Sequence, residues 1–479
     1  MNKYTIIRAG ILSLVILFFN GCMIPKVTQR MENRNTPSAY NNDSRSDTLN
    51  SANMSWRTFF VDSNLVHLID TAIANNQELM ITLQEIEIAR SEIKARKGEL
   101  LPVVNGGLEI GADKAGRYTS QGAGDESTEI TEGKKVPVIL PDFKLGLDMD
   151  WEIDIWKKLR NAKKAAVKRY LASIEGKNFV MTNLIAEIAN SYYELVALDN
   201  QLTIIRKNIA LQENALEIVK MQKEAARATE LAVQKFQAEV FGTKSKEYEI
   251  LQKIKETENR INLLLGRFPQ EIVRTDGNFQ QMIPPIIHVG IPAQLLANRP
   301  DIKQAELELD ASKLDVKVAK SAFYPSLKIT ASLGLDAFSP AFWIKIPESI
   351  FGSLAAGFLA PLLNRNAIAA EYLTANFKQK QAVYNFERSI LNGYYDVSTQ
   401  MYKIENLDKN YNLRSQQIDA LTNSIQIVND LFKSARADYL EVLMTQRDAL
   451  ESELELIEVK QQQLQAVIDI YKSLGGGWK

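Results

Sequence analysis

The two halves of this chain repeat one another. Leu100-Leu101-Pro102 through Gly111-Ala112-Asp113 returns as Phe323-Tyr324-Pro325 through Gly334-Leu335-Asp336, an offset of 223 from Pro102 to Pro325. Tyr192-Tyr193 is matched by Tyr394-Tyr395 at an offset of 202, Ala226-Arg227-Ala228 by Ala435-Arg436-Ala437 at 209, and Leu265-Gly266 by Leu474-Gly475 at 209. A long-period duplication constrains the whole fold, because each copy is one structural unit and overlooking it misassigns the architecture. Each copy predicts the same order of helix, strand, loop, strand and two very long helices, over 56–267 and 300–479.

The strands announce themselves by period. Val104, Leu108, Ile110 and Ala112 share one parity, with Asn105, Gly107 and Glu109 on the other. Phe143, Leu145, Leu147, Met149 and Trp151 alternate with Lys144, Gly146, Asp148, Asp150 and Glu152, and Leu327 to Leu335 alternates with Lys328, Thr330, Ser332, Gly334 and Asp336. Such period-2 runs make strands with one apolar and one polar face. They predict strands at about 103–113, 142–152 and 326–336, with a fourth, rich in Gly and Ala, at about 349–360. The first pair is separated by a Gly/Ser/Thr/Glu loop at 114–137, and the second by 337–348 with Phe338, Phe342 and Trp343.

The rest reads as helix of unusual length. No proline lies between Pro141 and Pro269, or after Pro361. The only glycines from Ile155 to Arg267 are Gly176, Gly242 and Gly266, and from Leu362 to Leu474 only Gly393. Two helices fit each stretch, with turns near 223–230 and 432–438, and at about 1.5 Å per residue the longer ones reach roughly 100 Å. Leu184, Ile188, Ser191, Leu195, Leu198 and Leu202 follow a 3.5 to 3.6 repeat, as in helices packed side by side. A shorter helix is predicted from Asp62 or Ser63, carrying Leu65, Leu68, Ile69, Ala72 and Ile73. Another follows the Asn75-Asn76 break and runs to Leu101, where Pro102 ends it. Between the halves, 268–299 holds Pro269, Pro284, Pro285 and Pro292 and reads as an ordered irregular connection.

The N-terminus carries Lys3 and Arg8, an apolar run from Ala9 to Phe19, and then Asn20-Gly21-Cys22. That is a secretory signal over 1–21, with an apolar core too short to span a bilayer. Cys22 is the only cysteine, so no disulfide forms within one chain. Gly21-Cys22 resembles a bacterial lipobox, which implies a lipidated Cys22 at the mature N-terminus, although Phe19 and Asn20 depart from that pattern. Residues 22–55 read as an extended tether, rich in Asn, Ser, Thr and Arg. A net charge of −1 supplies no footprint for nucleic acid.

After the signal no stretch reaches about 18 unbroken apolar residues, so any membrane crossing is made by strands. Four amphipathic strands cannot close alone, and an open edge cannot sit in hydrocarbon with its amides unpaired. Spanning barrels begin at about eight strands, so two chains are the minimum and three would give twelve. Lys144, Asp148, Asp150, Glu152, Lys328, Thr330 and Asp336 would then face a wet lumen. A soluble β-sandwich and a lipid-anchored periplasmic coiled-coil scaffold without a pore are the alternatives. The second leaves the strands and the duplication unexplained.

Enzyme chemistry has little to work with. His67 and His288 are the only histidines, too few for a histidine metal site or a Ser-His-Asp triad. Gly475-Gly476-Gly477 lacks the strand and Lys-Ser/Thr of a phosphate loop and reads as a helix end with a flexible exit. Asp148 and Asp150 share one strand parity and read as a lumen face before a glycosidase pair. No cofactor is expected beyond the lipid on Cys22.

Trp56-Arg57-x-Phe59-Phe60-x-Asp62 with Leu65, Asn298-Arg299-Pro300-Asp301-Ile302 with Ala305-Glu306, and Phe323-Tyr324-Pro325-Ser326-Leu327 resemble elements of the TolC-like outer-membrane efflux family. So do Ala437 to Leu443 with Gln446-Arg447, and Tyr471 to Trp478. The likeness is greatest to the lipoprotein members that serve RND-type pumps. It implies a mainly helical chain with a twelve-stranded barrel in the outer membrane, closed by a homotrimer, and a long periplasmic α-helical barrel. It implies a passive exit duct, fed by an inner-membrane pump through a periplasmic adaptor. It places the adaptor-docking tips at Ala226, Arg227, Thr229, Glu230 and Leu231, and at Ala435, Arg436, Asp438, Tyr439 and Leu440. It offers Asp430 and Asp438 for the periplasmic gate. The family often has glycine near Arg227 and Arg436, so the tips differ here.

Overall fold

The computed structural model describes residues 24–28, 30–40, 48–275, 279, 282, 284–361, 365–434 and 436–479. The first copy runs through α1 Trp56–Phe59, α2 Ser63–Asn75, α3 Gln77–Gly98, β1 Val103–Asp113, α4 Ser120–Ser127, β2 Glu129–Thr131, β3 Lys134–Lys135, β4 Leu140–Ile153, α5 Lys158–Glu224 and α6 Glu230–Leu264. The second runs through α7 Leu295–Asn298, α8 Pro300–Ser321, β5 Ser326–Ala337, β6 Ile350–Leu359, α9 Asn366–Lys433 and α10 Tyr439–Ser473.

These boundaries sharpen the duplication. α3 maps on α8 and β1 on the start of β5 at 223, while both ends of α6 map on α10 at 209 and the end of α5 maps on the end of α9 at 209. The two offsets differ by 14 residues, and the change falls in the connection between the paired strands. That connection is longer in the first copy and is more than a loop: it holds α4 and the β2–β3 hairpin. The match of Tyr192-Tyr193 to Tyr394-Tyr395 is therefore corrected. At 209 their counterparts are Met401-Tyr402, and the earlier pair lies 7 residues away, about two helical turns, on the same face. A repeat of 3.5 to 3.6 makes such slips easy to accept from sequence alone.

The chain forms two compact units that cut across the repeats. One takes Ile88–Tyr170 and Leu307–Val383, with the described residues before Glu32. The other takes Glu32–Glu87, Leu171–Glu306 and Tyr384–Lys479. The first contains an antiparallel sheet in the order β1-β4-β5-β6. Lys144 lies opposite Glu109 and Asp336, and Asp150 opposite Val103 and Thr330, so each parity class forms one face of the whole sheet.

The second unit contains the larger core. Leu65, Ile69, Ile188, Leu195, Ile205 and Ile261 are fully enclosed there, each contributing about 1.5–3 kcal/mol of burial. Polar groups fix the approach of the chain to this core. Asp62 caps α2, its Oδ1 accepting from the amides of Asn64 at 2.8 Å and Leu65 at 3.3 Å, while its Oδ2 accepts from the Tyr192 hydroxyl at 2.7 Å. Burial pushes that hydroxyl up to about 12. Arg274 donates to Asp199 and Glu258, and Arg299 to Asp301, Asp396 and the Ser473 carbonyl.

Three expectations change. α3 stops at Gly98, before Leu101, and Glu99-Leu100 form a turn. The connection after Arg267 is not wholly irregular, since it ends in a 3-10 turn at Pro292–Gln294 followed by α7. Gly475-Gly476-Gly477 is no flexible exit: all three glycines are buried. At Gly475, φ is +90° and a Cβ would lie 2.5 Å from the Asn298 carbonyl oxygen; at Gly476 it would strike the Tyr471 ring at 2.3 Å. Tyr40, in the stretch read as tether, is buried and stacks on Tyr394 at 5.4 Å.

Candidate functional site

One candidate surface is the polar face of the sheet. β4 supplies Lys144, Asp148 and Asp150, and β5 supplies Lys328, Thr330 and Asp336; their register sets them on one face in neighbouring rows. Asp148 lies opposite Ser332, whose hydroxyl donates to Asp148 Oδ1 at 2.6 Å. Lys328 lies opposite Glu152, whose carboxylate accepts from Lys158 at 3.0 Å. Opposite charges face one another in the Glu109–Lys144–Asp336 row and in the Glu152–Lys328 pair, the cross-strand analogue of a helical i, i+4 pair.

Sequence reasoning missed one member. Phe351 carries the polar parity of β6 and lies across a row of glycines. A Cβ on Gly334 would come to 2.8 Å from its ring, one on Gly146 to 3.1 Å, and Lys144 Nζ stands 4.7 Å from the ring centroid. The glycines on the polar parity of β4 and β5 were the available signal, because a glycine inside a strand marks a close approach.

The opposite face is apolar from edge to edge. Leu108, Ile110, Leu147, Leu333, Leu354 and Phe358 all lie on it and are each more than half exposed. A surface this continuous marks contact with another protein or with lipid. Among the described residues the edges β1 and β6 each have one strand neighbour.

The second candidate surface is the pair of helix turns. α5 ends at Glu224 with Ala226 in the left-handed region, φ 56°, and the Arg227 amide donates to the Gln222 carbonyl at 2.8 Å. This six-to-one closure is the helix end usually built on glycine. The other turn closes the same way, Arg436 N to Leu431 O at 2.8 Å. The restarts differ. Thr229 caps α6 by accepting from the Ala232 amide at 3.2 Å, whereas Asp438 occupies the cap of α10 without a side-chain bond. Hydrogen bonding from Lys223 and Gln234 holds the Glu230 carboxyl below its ordinary value.

Beneath the turns Leu216, Val219, Val233 and Phe236 form a small core, joined by Phe432, Tyr439 and Leu443 from the second turn. Tyr439 is thus partly a packing residue. Arg227, Leu231, Arg436, Leu440 and Asp438 are exposed. Asp430 is exposed as well, with Lys433 Nζ 3.9 Å away. The structure brings the two turns together but places Asp430 one turn back from the end of α9. Cys22 and Ala435 lie outside the described residues.

Neither histidine builds a site. His67 is exposed on α2, and the His288 amide bonds to Ser51 Oγ at 2.9 Å. Among the described residues there is no group of three or more His, Cys, Asp or Glu arranged to hold a metal, and no helix long and apolar enough to cross a membrane.

Comparison with known proteins fits this geometry. The family described as Outer membrane efflux protein matches residues 68–267 and 291–476. The chain is 27% identical over 425 residues to the pyoverdine export outer membrane protein OpmQ of Pseudomonas aeruginosa, covering 88% of this chain and 87% of that one. It is 25% identical over 441 residues to the cation efflux system protein CusC of Escherichia coli O6:H1, covering 90% of each. Among solved structures, the open state of the Neisseria gonorrhoeae MtrE outer membrane channel superposes with a TM-score of 0.82 at 20% identity, over 96% of this chain and 99% of that one. A membrane protein from Pseudomonas aeruginosa gives 0.83 at 22% identity, over 95% and 100%. With a matched family over most of its length and the same helical and β-barrel fold, this chain belongs to the outer membrane efflux protein family, the exit ducts of tripartite efflux systems.

Proposed function

We propose that the polar face of the sheet lines the lumen of this duct, with Lys144, Asp148, Asp150, Lys328, Thr330 and Asp336 facing the passage and the apolar face against outer-membrane lipid. The observation that supports this is the register: it gathers the charged residues of β1, β4 and β5 on one face of the sheet and most of the large aliphatic side chains on the other. The duct is the homotrimeric outer-membrane part of a tripartite system, working with a periplasmic adaptor and an inner-membrane RND-type pump. It is a conduit and not an enzyme. A pore-free scaffold gives no reason for such a sheet.

The turns carrying Arg227, Thr229, Glu230 and Leu231, and Arg436, Asp438, Tyr439 and Leu440, are proposed to meet the adaptor. Asp430 and Asp438, three of each in a trimer, are proposed to favour cations at the entrance and to help hold the aperture through partners such as arginine. Cys22 is proposed to carry the lipid anchor. The named relatives export pyoverdine in one case and cations in another, so cargo is read as chosen upstream.

Single-channel recording in planar bilayers tests the lumen. Asp148→Lys with Asp150→Lys should shift the ion selectivity of the open channel toward anions, and unchanged selectivity would place these carboxylates elsewhere. Incorporation of labelled palmitate, abolished by Cys22→Ser, tests the anchor.

A further inference from the structure

The duplication and the sheet register together specify a contact that one chain cannot show: how β6 meets β1 of the next copy. The inference rests on the trimeric duct, whose wall is incomplete without that contact. Within the chain, β1–β4 and β5–β6 are equivalent hairpins. Val103 opposite Asp150 maps on Ser326 opposite Leu359, so β1 maps on β5 at 223 and β4 on β6 at 209. The β4–β5 pairing joins the first copy to the second, and in a closed ring β6–β1 joins the second copy to the first of the next chain. Moving Phe143–Ala337, Lys144–Asp336 and Glu152–Lys328 by these offsets gives the equivalent pairs.

We propose that β6 pairs antiparallel with β1 of the adjacent copy in the register Ser353 opposite Asp113, Ala355 opposite Gly111, and Gly357 opposite Glu109 on the lumen face. Leu354 then faces Ala112, Ala356 faces Ile110, and Phe358 faces Leu108 on the lipid face. Nothing about face was used to obtain this register, yet every pair joins like parity to like: a slip of one residue would put Glu109 into lipid. The seam is small-sided. Gly111 meets Ala355, Ala112 meets Leu354 and Gly357 meets Glu109, each pair with at least one small side chain, where β4–β5 has Lys144–Asp336 and Trp151–Ile329. Backbone hydrogen bonds carry this seam, and it leaves the wall thin at three places around the barrel.

One row gives a polar contact between copies. Lys328 and the next copy's Glu109 flank Gly357, and a Cβ on Gly357 would meet nothing within 4 Å. Two strand spacings are about 9.6 Å, within the combined reach of a lysine and a glutamate. Inside one chain the two residues are separated by β4 and lie at opposite ends of the sheet.

Two experiments on the full-length trimer test the register. In the first, paired cysteines are oxidised, with single-cysteine and parent controls to subtract any thiol at Cys22. Ser353→Cys with Asp113→Cys, Ala355→Cys with Gly111→Cys, and Gly357→Cys with Glu109→Cys should link chains into dimers and trimers. Ala355→Cys with Asp113→Cys or with Glu109→Cys should link at least tenfold less, because diagonal neighbours are about 7–8 Å apart against about 4.5–5.5 Å for facing ones. In the second, the unsubstituted protein is treated with a zero-length carbodiimide, and a Glu109–Lys328 peptide should appear only in bands larger than one chain. Efficient linking of a displaced pair would overturn the register. So would a trimer that links none of the three facing pairs and yields no Glu109–Lys328 peptide. A protein that is not trimeric by size would instead overturn the reading on which the register rests.

Discussion

Arg274→Met is the substitution whose cost the structure defines best. Its guanidinium side chain is 16% exposed and donates to Glu258 at 2.8 Å, to Asp199 at 3.0 Å and to the Ile272 carbonyl at 2.9 Å. Glu258 is 5% exposed, so removing Arg274 strands a carboxylate that cannot reach water. Breaking a buried pair from one side costs about 3–5 kcal/mol. Asp199 is 34% exposed and Lys255 stays on Glu258 at 2.7 Å, which together reduce the expected loss to about 2–3 kcal/mol. Amide exchange of the detergent-solubilised trimer reads this directly. Amides of α5 and α6 that exchange only through opening of this region should do so about 30–150-fold faster. The double variant Arg274→Met, Glu258→Leu should recover a large part of the loss, since the stranded charge goes with its partner. A change below about 0.5 kcal/mol in the single variant, or no recovery in the double, would refute the reasoning.

The same residues set an acid response. Burial pushes the Glu258 carboxyl up, but hydrogen bonds from Lys255 and Arg274 outweigh it and hold it below its ordinary 4.5. Its stabilisation is therefore complete above about pH 4.5 and lost as pH falls through the lower folded value, so the melting difference between the parent and Glu258→Gln should shrink in that window. At the turns, Thr229→Ala should cost about 1 kcal/mol by losing the cap bond, while Asp438→Ala, which loses none, should leave local exchange nearly unchanged. Ala226→Gly should slow exchange at its turn by relieving a left-handed alanine, a gain of about 0.5–1 kcal/mol; faster exchange would show that the backbone is not strained there. Gly475→Ala should prevent accumulation of trimer, because its Cβ would meet the Asn298 carbonyl.

Much of this was legible in the sequence because period speaks directly of faces. Alternation from Phe143 to Trp151 and from Leu327 to Leu335 located two strands of the sheet, and the absence of proline and near-absence of glycine from 155 to 265 required very long helices. The weak points were those where another segment decides the outcome. Gly475 to Gly477 looked free because nothing local shows that Asn298 and Tyr471 close on them. Tyr40 looked solvated because its partner, Tyr394, lies far along the chain. Phe351 escaped notice because its meaning lies in Gly334 and Gly146 on other strands. The false match of Tyr192 to Tyr394 arose from periodicity itself, since a two-turn slip preserves the face.

The central claim is that the trimer encloses a conducting passage walled by this sheet. Purified trimers inserted into planar bilayers should produce discrete conductance steps of one size. Asp430→Ala with Asp438→Ala should enlarge or prolong those steps by relaxing the entrance. Trimers shown to be intact and inserted, yet silent in both forms, would contradict the account.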